Sequence, residues 1–211
     1  MKELFNPEGQ FMAAIKTFSD WLLLSMAAFI CSAFIITLGP SLVAMCSVGM
    51  KLARGEYVSP IYDFCKEFKN NFKQGIIEGL VLMAAAGLLS IDLYFCITVL
   101  NGNYKKYLAT LIVVVIIFVL MVFWLVFPIT ARFSLNIKEI FHNAVIMAAM
   151  NPFRAITGVI FFLMPYAAAI IIYPLLPLVL LFLPALPLYY NAGYYVRLFK
   201  RFEPDTDEEV M

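Results

Sequence analysis

Long apolar runs alternate with short polar, mostly basic segments along this chain. Five stretches stand out: Trp21 to about Val48, Ile76–Leu100, Leu108–Ala131, Ile156–Tyr173 and Leu175–Val196. About 20 helical residues cross a hydrocarbon core about 30 Å thick. The second and third runs fit one crossing each, while the fourth and fifth are divided only by Pro174. The pattern predicts an all-α, polytopic transmembrane helix bundle of about five spans, in a single domain over residues 1–211. The first run is too long for one untilted span and contains Gly39-Pro40. A proline inside a helix removes a hydrogen bond and strains the preceding turn, so the first helix is expected to break there. The second piece either continues as a kinked helix or folds back as a hairpin. It is short and turns cationic at Lys51 and Arg54, which favours the kink.

The polar intervals carry patterns of their own. In "SPIYDFCKEFKNNFKQG", residues 59–75, Ser59 suits an N-cap and Pro60 the first helical position. Ile61, Phe64, Cys65, Phe68 and Phe72 then recur at helical spacing, with Asp63, Lys66, Glu67 and Lys69 largely outside that stripe. Such a helix lies along lipid headgroups with its aromatic face in the acyl boundary, or lays that face on a partner; the interfacial reading is the more general one. Residues 136–150 form a second amphipathic segment. Asn136 and Glu139 resemble a capping box, and Asn151-Pro152 ends the helix. His142, the chain's one histidine, has no second ligand at metal spacing and reads as a polar-face residue.

Composition and charge sharpen this picture. Hydrophobic residues make up 64% and charged residues 14%, and mean hydropathy is +0.91, which sets the chain among integral membrane proteins. The first apolar run is too long for a cleavable leader and is expected to stay as an anchor. Lys51, Arg54, Lys66, Lys69 and Lys73, then Arg132, Lys138 and Arg154, then Arg197, Lys200 and Arg201 fall on one side if five spans are threaded. Basic loops stay in the cytoplasm, so the C-terminus is expected inside and the N-terminal segment, residues 1–20, outside. The hairpin alternative would bring Lys2 and Lys16 inside as well. The tail, residues 202–211, packs Glu203, Asp205, Asp207, Glu208 and Glu209 together and is expected to be disordered. The net charge of +1 gives no reason to expect nucleic acid. Cys31, Cys46, Cys65 and Cys96 have no paired spacing, so neither disulfide nor metal is expected, and no cofactor motif is present.

Polar groups within the apolar runs are the candidate site. Asp92 is the main intramembrane acid, toward the outer half of its span. A carboxylate at the bilayer centre costs about 2.5–3.5 kcal/mol by insertion scales, so Asp92 is expected to face the bundle interior or to hold a proton. Asn191, amid Tyr189, Tyr190, Tyr194 and Tyr195, should seek an interior partner at a different depth. Glu78 lies near the end of its span, where it can reach water, and Gly75 and Gly79 form a GxxxG around it. Gly39, Pro40, Pro128, Pro174 and Pro177 are the candidate helix breaks; broken helices line binding sites in many transporters, and kinked packing helices are commoner still. "LGPSLVAM" and "VFPITARF" each end an apolar run ahead of a basic amphipathic segment, a loose internal echo.

The succession of "LGPSLVAM", "RGEYVSPIYDFCKEFKNNFKQG", "FPITARF" and "IFHNAVIMAAMNPFR" resembles the YesL-type bacterial membrane proteins over nearly the whole chain. That resemblance implies a plasma-membrane protein of about 200 residues linked to sugar uptake, since such proteins are often encoded beside carbohydrate ABC-type permeases. It implies no agreed mechanism and no functional residues. Together these features predict a non-catalytic accessory of carbohydrate transport whose partners are the lipid bilayer, permease subunits or a second copy of itself. A small transporter or channel using Asp92 and the proline-broken helices is the alternative. An intramembrane enzyme finds no catalytic cluster here.

Overall fold

The computed structural model describes residues 10–32, 34–99, 104–171 and 185–199. Pro174, Pro177 and the acidic tail lie outside the described residues. The helices are α1 (Gln10–Cys31), α2 (Leu38–Ala53), α3 (Pro60–Asn70), α4 (Phe72–Thr98), α5 (Tyr104–Arg132), α6 (Ile137–Met150), α7 (Pro152–Ile171) and α8 (Ala185–Phe199), with a 3-10 turn at Ile35–Thr37. No strand occurs among the described residues. Ile35–Ala53, Phe72–Thr98 and Tyr104–Arg132 are long and apolar enough to cross a membrane. The pair α6 and α7, bent by 104°, makes a fourth crossing if it acts as one broken span.

The interruption of the first apolar run falls at residues 32–37, just ahead of Gly39-Pro40. There the Thr37 hydroxyl lies 2.6 Å from the carbonyl of Cys31, the last residue of α1, and 2.8 Å from that of Phe34, which also accepts from the Thr37 N–H. Gly39 and Pro40 sit in the first turn of α2, where a missing N–H costs little. The chain then turns back on itself. Ser41 Oγ donates to the Ala28 carbonyl at 3.0 Å, and Gly49 lies against the Trp21 ring. Residues further along α2 thus meet residues further back in α1, so the two helices are antiparallel and the hairpin, not the kinked helix, is what forms.

This hairpin changes where the ends lie. The Lys16 ammonium stands 5.4 Å from the centroid of the Tyr57 ring, in the loop beyond α2. In that loop the Arg54 guanidinium beside Glu56 holds its carboxyl below the usual carboxylate range, helped by Lys51 and Arg132. Phe133, just past α5, meets Phe199 at the end of α8 with ring centroids 5.3 Å apart. The start of α1 and the end of α8 therefore share one end of the bundle.

Helix α2 is the centre of the bundle, touching α1, α3, α4, α5 and α8. Its Val43, Ala44, Met45 and Val48 are fully buried. Helix α5 runs unbroken through Pro128, which is therefore not a break. The missing N–H of Pro128 leaves the Trp124 carbonyl without its helical donor. Tyr195 Oη, on α8, lies 3.4 Å from that oxygen and supplies a replacement.

Both capped starts form where the sequence places them. Asp63 Oδ2 accepts from the Ser59 N–H at 2.8 Å ahead of α3, and Glu139 Oε2 accepts from the Asn136 N–H at 3.0 Å ahead of α6.

Candidate functional site

Helices α2 and α4 cross in backbone contact at their glycines. A Cβ added to Gly39 would stand 2.0 Å from the Gly75 carbonyl oxygen, and one added to Gly75 would stand 2.7 Å from the Pro40 backbone. Gly79 faces the Gly39 Cα at 3.3 Å from its own would-be Cβ. Only residues without a side chain allow two backbones this close. The "LGP" and "GIIEG" segments are thus two sides of one contact.

Glu78 lies between those two glycines in sequence and is 0% exposed. The Thr130 hydroxyl, on α5, is 2.9 Å from both carboxyl oxygens, and 3.0 Å from the Val126 carbonyl. Gln74, one turn earlier on α4, also hydrogen-bonds the carboxyl, and its Nε2 donates to the Leu135 carbonyl at 3.2 Å. The cluster can hold either protonation state. With the carboxyl ionised, the Thr130 O–H donates to it; with a proton on the carboxyl, Glu78 donates to Thr130 Oγ1, whose own hydrogen then goes to Val126. The expectation that Glu78 reaches water is therefore wrong: the glycine crossing and α5 cover it. An acid set between two glycines of a close-packing motif was the signal available in the sequence.

Asp92 behaves in the opposite way. It is exposed on the outer part of α4, with Leu88, Ile91 and Phe95 exposed around it. It does not face the bundle interior as expected. Near this end the Cys96 thiol lies 3.7 Å from the Lys105 carbonyl, which places Asp92 close to the tip of the α4–α5 hairpin. Asn191 is buried on α8, its Oδ1 3.3 Å from where a Gly158 Cβ would stand, and the same position is 2.5 Å from Trp124 Nε1. The structure does not bring Asp92 and Asn191 together.

The aromatic stripe of α3 is divided. Phe64 is 0% exposed and Phe68 packs on the core, while Ile61 and Phe72 are exposed. The rings of Phe64, Phe68 and Phe72 follow one another at 6.0 and 5.5 Å. The centre of the face proposed for lipid or a partner is thus covered by the chain's own helices, since α3 packs on α1 and α2. His142 is exposed, and no three His, Cys, Asp or Glu side chains gather to hold a metal among the described residues.

A family profile described as "Protein of unknown function, DUF624" matches residues 19–93. No curated protein and no solved structure matches the chain. The matched segment contains both sides of the glycine crossing, Glu78 and Asp92, and stops short of Thr130. The apolar helices are those of an integral membrane protein, and the matched family assigns them no role.

Proposed function

We propose that this chain is a non-catalytic integral membrane protein that works as an accessory of carbohydrate transport, docking a permease subunit through the outer half of its α4–α5 hairpin. The observation that carries the docking face is Asp92, an exposed carboxyl amid exposed Leu88, Ile91 and Phe95. A carboxylate set among apolar side chains at membrane depth is costly unless another chain brings it a donor. The permease as partner rests on the resemblance to YesL-type proteins. The basic end, with Lys16, Lys51, Arg54 and Arg132, is placed in the cytoplasm by the retention of Lys and Arg there, and Lys105 and Lys106 at the hairpin tip outside. Both the start of α1 and the end of α8 are then cytoplasmic, in a bacterial plasma membrane.

The test is purification from native membranes in mild detergent, after crosslinking in the membrane, of wild type and Asp92→Leu. A stoichiometric permease subunit that co-elutes with wild type and is lost from the variant supports the reading. Wild type that elutes with no permease subunit ends it. A second reading, a small transporter, is favoured by the buried Glu78, Thr130 and Gln74 cluster. It requires solute flux in liposomes that Glu78→Gln alters; equal flux with and without the protein rules it out.

A further inference from the structure

Helix α3 turns its aromatic face inward: Pro60 and Phe64 are buried, and Phe68 packs on the core. What remains outside is a second stripe. Tyr62, Lys66, Lys69 and Lys73 follow one another at steps of four, three and four residues, the spacing of neighbours on one side of a helix. All four are exposed. Asn71 is the single residue between α3 and α4. Hydrogen bonds of helical spacing bracket it, from the Asn71 N–H to the Glu67 carbonyl at 3.0 Å and from the Gly75 N–H to the Asn71 carbonyl at 2.8 Å. The lysines thus pass from α3 into the first turn of α4.

The acids near this stripe have other partners. Asp63 accepts from the Ser59 N–H at 2.8 Å, and Glu67 holds Lys51 at 2.8 Å. In the loop before α3, Glu56 is paired with Arg54. Among the described residues no ion pair includes Lys66, Lys69 or Lys73. The outer face of α3 is therefore positive.

Its depth follows from α4. That helix is long and apolar enough to cross a membrane from Phe72 onward, and Ile77, Leu80 and Val81 are exposed along it. Lys73 precedes Ile77 by about 6 Å of helical rise, so it marks where α4 leaves the hydrocarbon. Lys66 lies at most about 10 Å further out by the same rise. That is about one Debye length at 0.1 M salt, so all three ammonium groups feel the headgroup charge whatever the tilt of α3. Tyr62, with a ring for the boundary and a hydroxyl for water, suits the same level. An acidic protein segment would match the charge, but α4 brings the stripe to the bilayer surface whether or not such a segment is present.

We propose that the stripe of Tyr62, Lys66, Lys69 and Lys73 is a contact surface for anionic phospholipid headgroups, which it gathers around the start of α4. Helix α3 meets the membrane with its lysines and its own bundle with its phenylalanines. The surface uses neither Asp92 nor the hairpin tip, so it stands or falls separately from the docking of a permease.

Cys65 gives the experiment its reporter, because it is exposed on α3 while Cys46 and Cys96 are buried. The full chain carrying Cys31→Ala is labelled at Cys65 with a fluorophore and reconstituted in phosphatidylcholine vesicles. Quenching is then measured with headgroup-nitroxide lipid of either phosphatidylglycerol or phosphatidylcholine type. Half-quenching should need about fivefold less phosphatidylglycerol, the worth of one lysine near an anionic surface. The preference should fade in 1 M salt, where the Debye length falls to about 3 Å. Lys66→Gln/Lys69→Gln/Lys73→Gln should abolish it, and the corresponding triple arginine variant should keep it. Equal quenching by the two lipids overturns the proposal, as does a preference that survives the triple glutamine variant. A preference that emerges only when residues 202–211 are removed also overturns it, because the acids of that segment would then be the partner of the lysines.

Discussion

The two halves of the α4–α5 hairpin have much the same hydropathy and opposite surroundings. In the inner half Leu82, Leu125, Val126 and Ile129 are buried, and the glycines at 75 and 79 bring α2 to within backbone contact. In the outer half Leu88, Ile91, Leu111, Val114 and Ile117 are exposed, and Gly87 has nothing within 4 Å of a would-be Cβ. Each half has one carboxyl on α4: Glu78 is closed in by three helices, and Asp92 is open. In a bilayer, apolar residues gain little by leaving lipid for a neighbouring helix, so hydropathy does not decide which half packs. Small residues and polar contacts decide it, and here both lie in the inner half.

The sharpest way to break this contrast is to put the same side chain on glycines of each half. Gly39→Leu drives a side chain into the Gly75 backbone, which cannot retreat as a side-chain end can. Overpacking a well-packed core costs about 1–3 kcal/mol, and a clash with main chain lies above that range. Size-exclusion chromatography in detergent should show aggregate or no folded protein for Gly39→Leu and a wild-type profile for Gly87→Leu. A folded, monodisperse Gly39→Leu would mean that the crossing is not what holds α2 to α4.

Aromatic truncation gives the next largest effect. Phe127 is 4% exposed and meets Phe123 edge-on at 5.1 Å, whereas Phe118 on the outer half is 38% exposed. Phe127→Ala should lower stability by about 3–5 kcal/mol and Phe118→Ala by less than about 0.5 kcal/mol, read from thermal unfolding in detergent. Thr130→Val follows at about 2 kcal/mol, because it leaves the buried Glu78 carboxyl without its hydroxyl partner. Thr110→Val, whose hydroxyl bonds only its own helix at Lys106, should be neutral. The double variant Glu78→Leu/Thr130→Val should recover much of the loss, since removing both partners leaves no unsatisfied group.

How far the sequence reveals this depends on the range of each interaction. The starts of α3 and α6 were legible to the residue, because Ser59-Pro60 and Asn136 with Glu139 act within one turn. The class was legible because span length follows bilayer thickness. The hairpin of α1 and α2 was not: Ser41 meeting Ala28, and Gly49 meeting Trp21, are tertiary contacts that leave no periodicity in the chain. The burial of Glu78 was signalled only by the glycines that flank it, since the hydroxyl that engages its carboxyl is that of Thr130, far away in sequence. Asp92 is expected inside because intramembrane acids usually point inward, and only the packing of the other helices shows that, among the described residues, it is exposed. Pro128 shows the converse: the sequence flags a lost hydrogen bond, and a hydroxyl from α8 repairs it.

The smallest expected effect on stability tests the outer half most directly. Asp92→Asn removes a charge that touches no described helix closely, so the unfolding temperature of the purified chain in detergent should move by no more than about 0.5 kcal/mol would produce. Detergent offers water and headgroups to an exposed carboxyl, and the isolated chain gains nothing from neutralising it. In native membranes the same substitution should act on assembly, because a donor from another chain would lose its charged acceptor, and the yield of crosslinked complex should fall several-fold. A large shift of unfolding temperature in the isolated chain would show instead that Asp92 supports the fold, and the contrast between a packed inner half and an open outer half would be wrong at the residue that defines it.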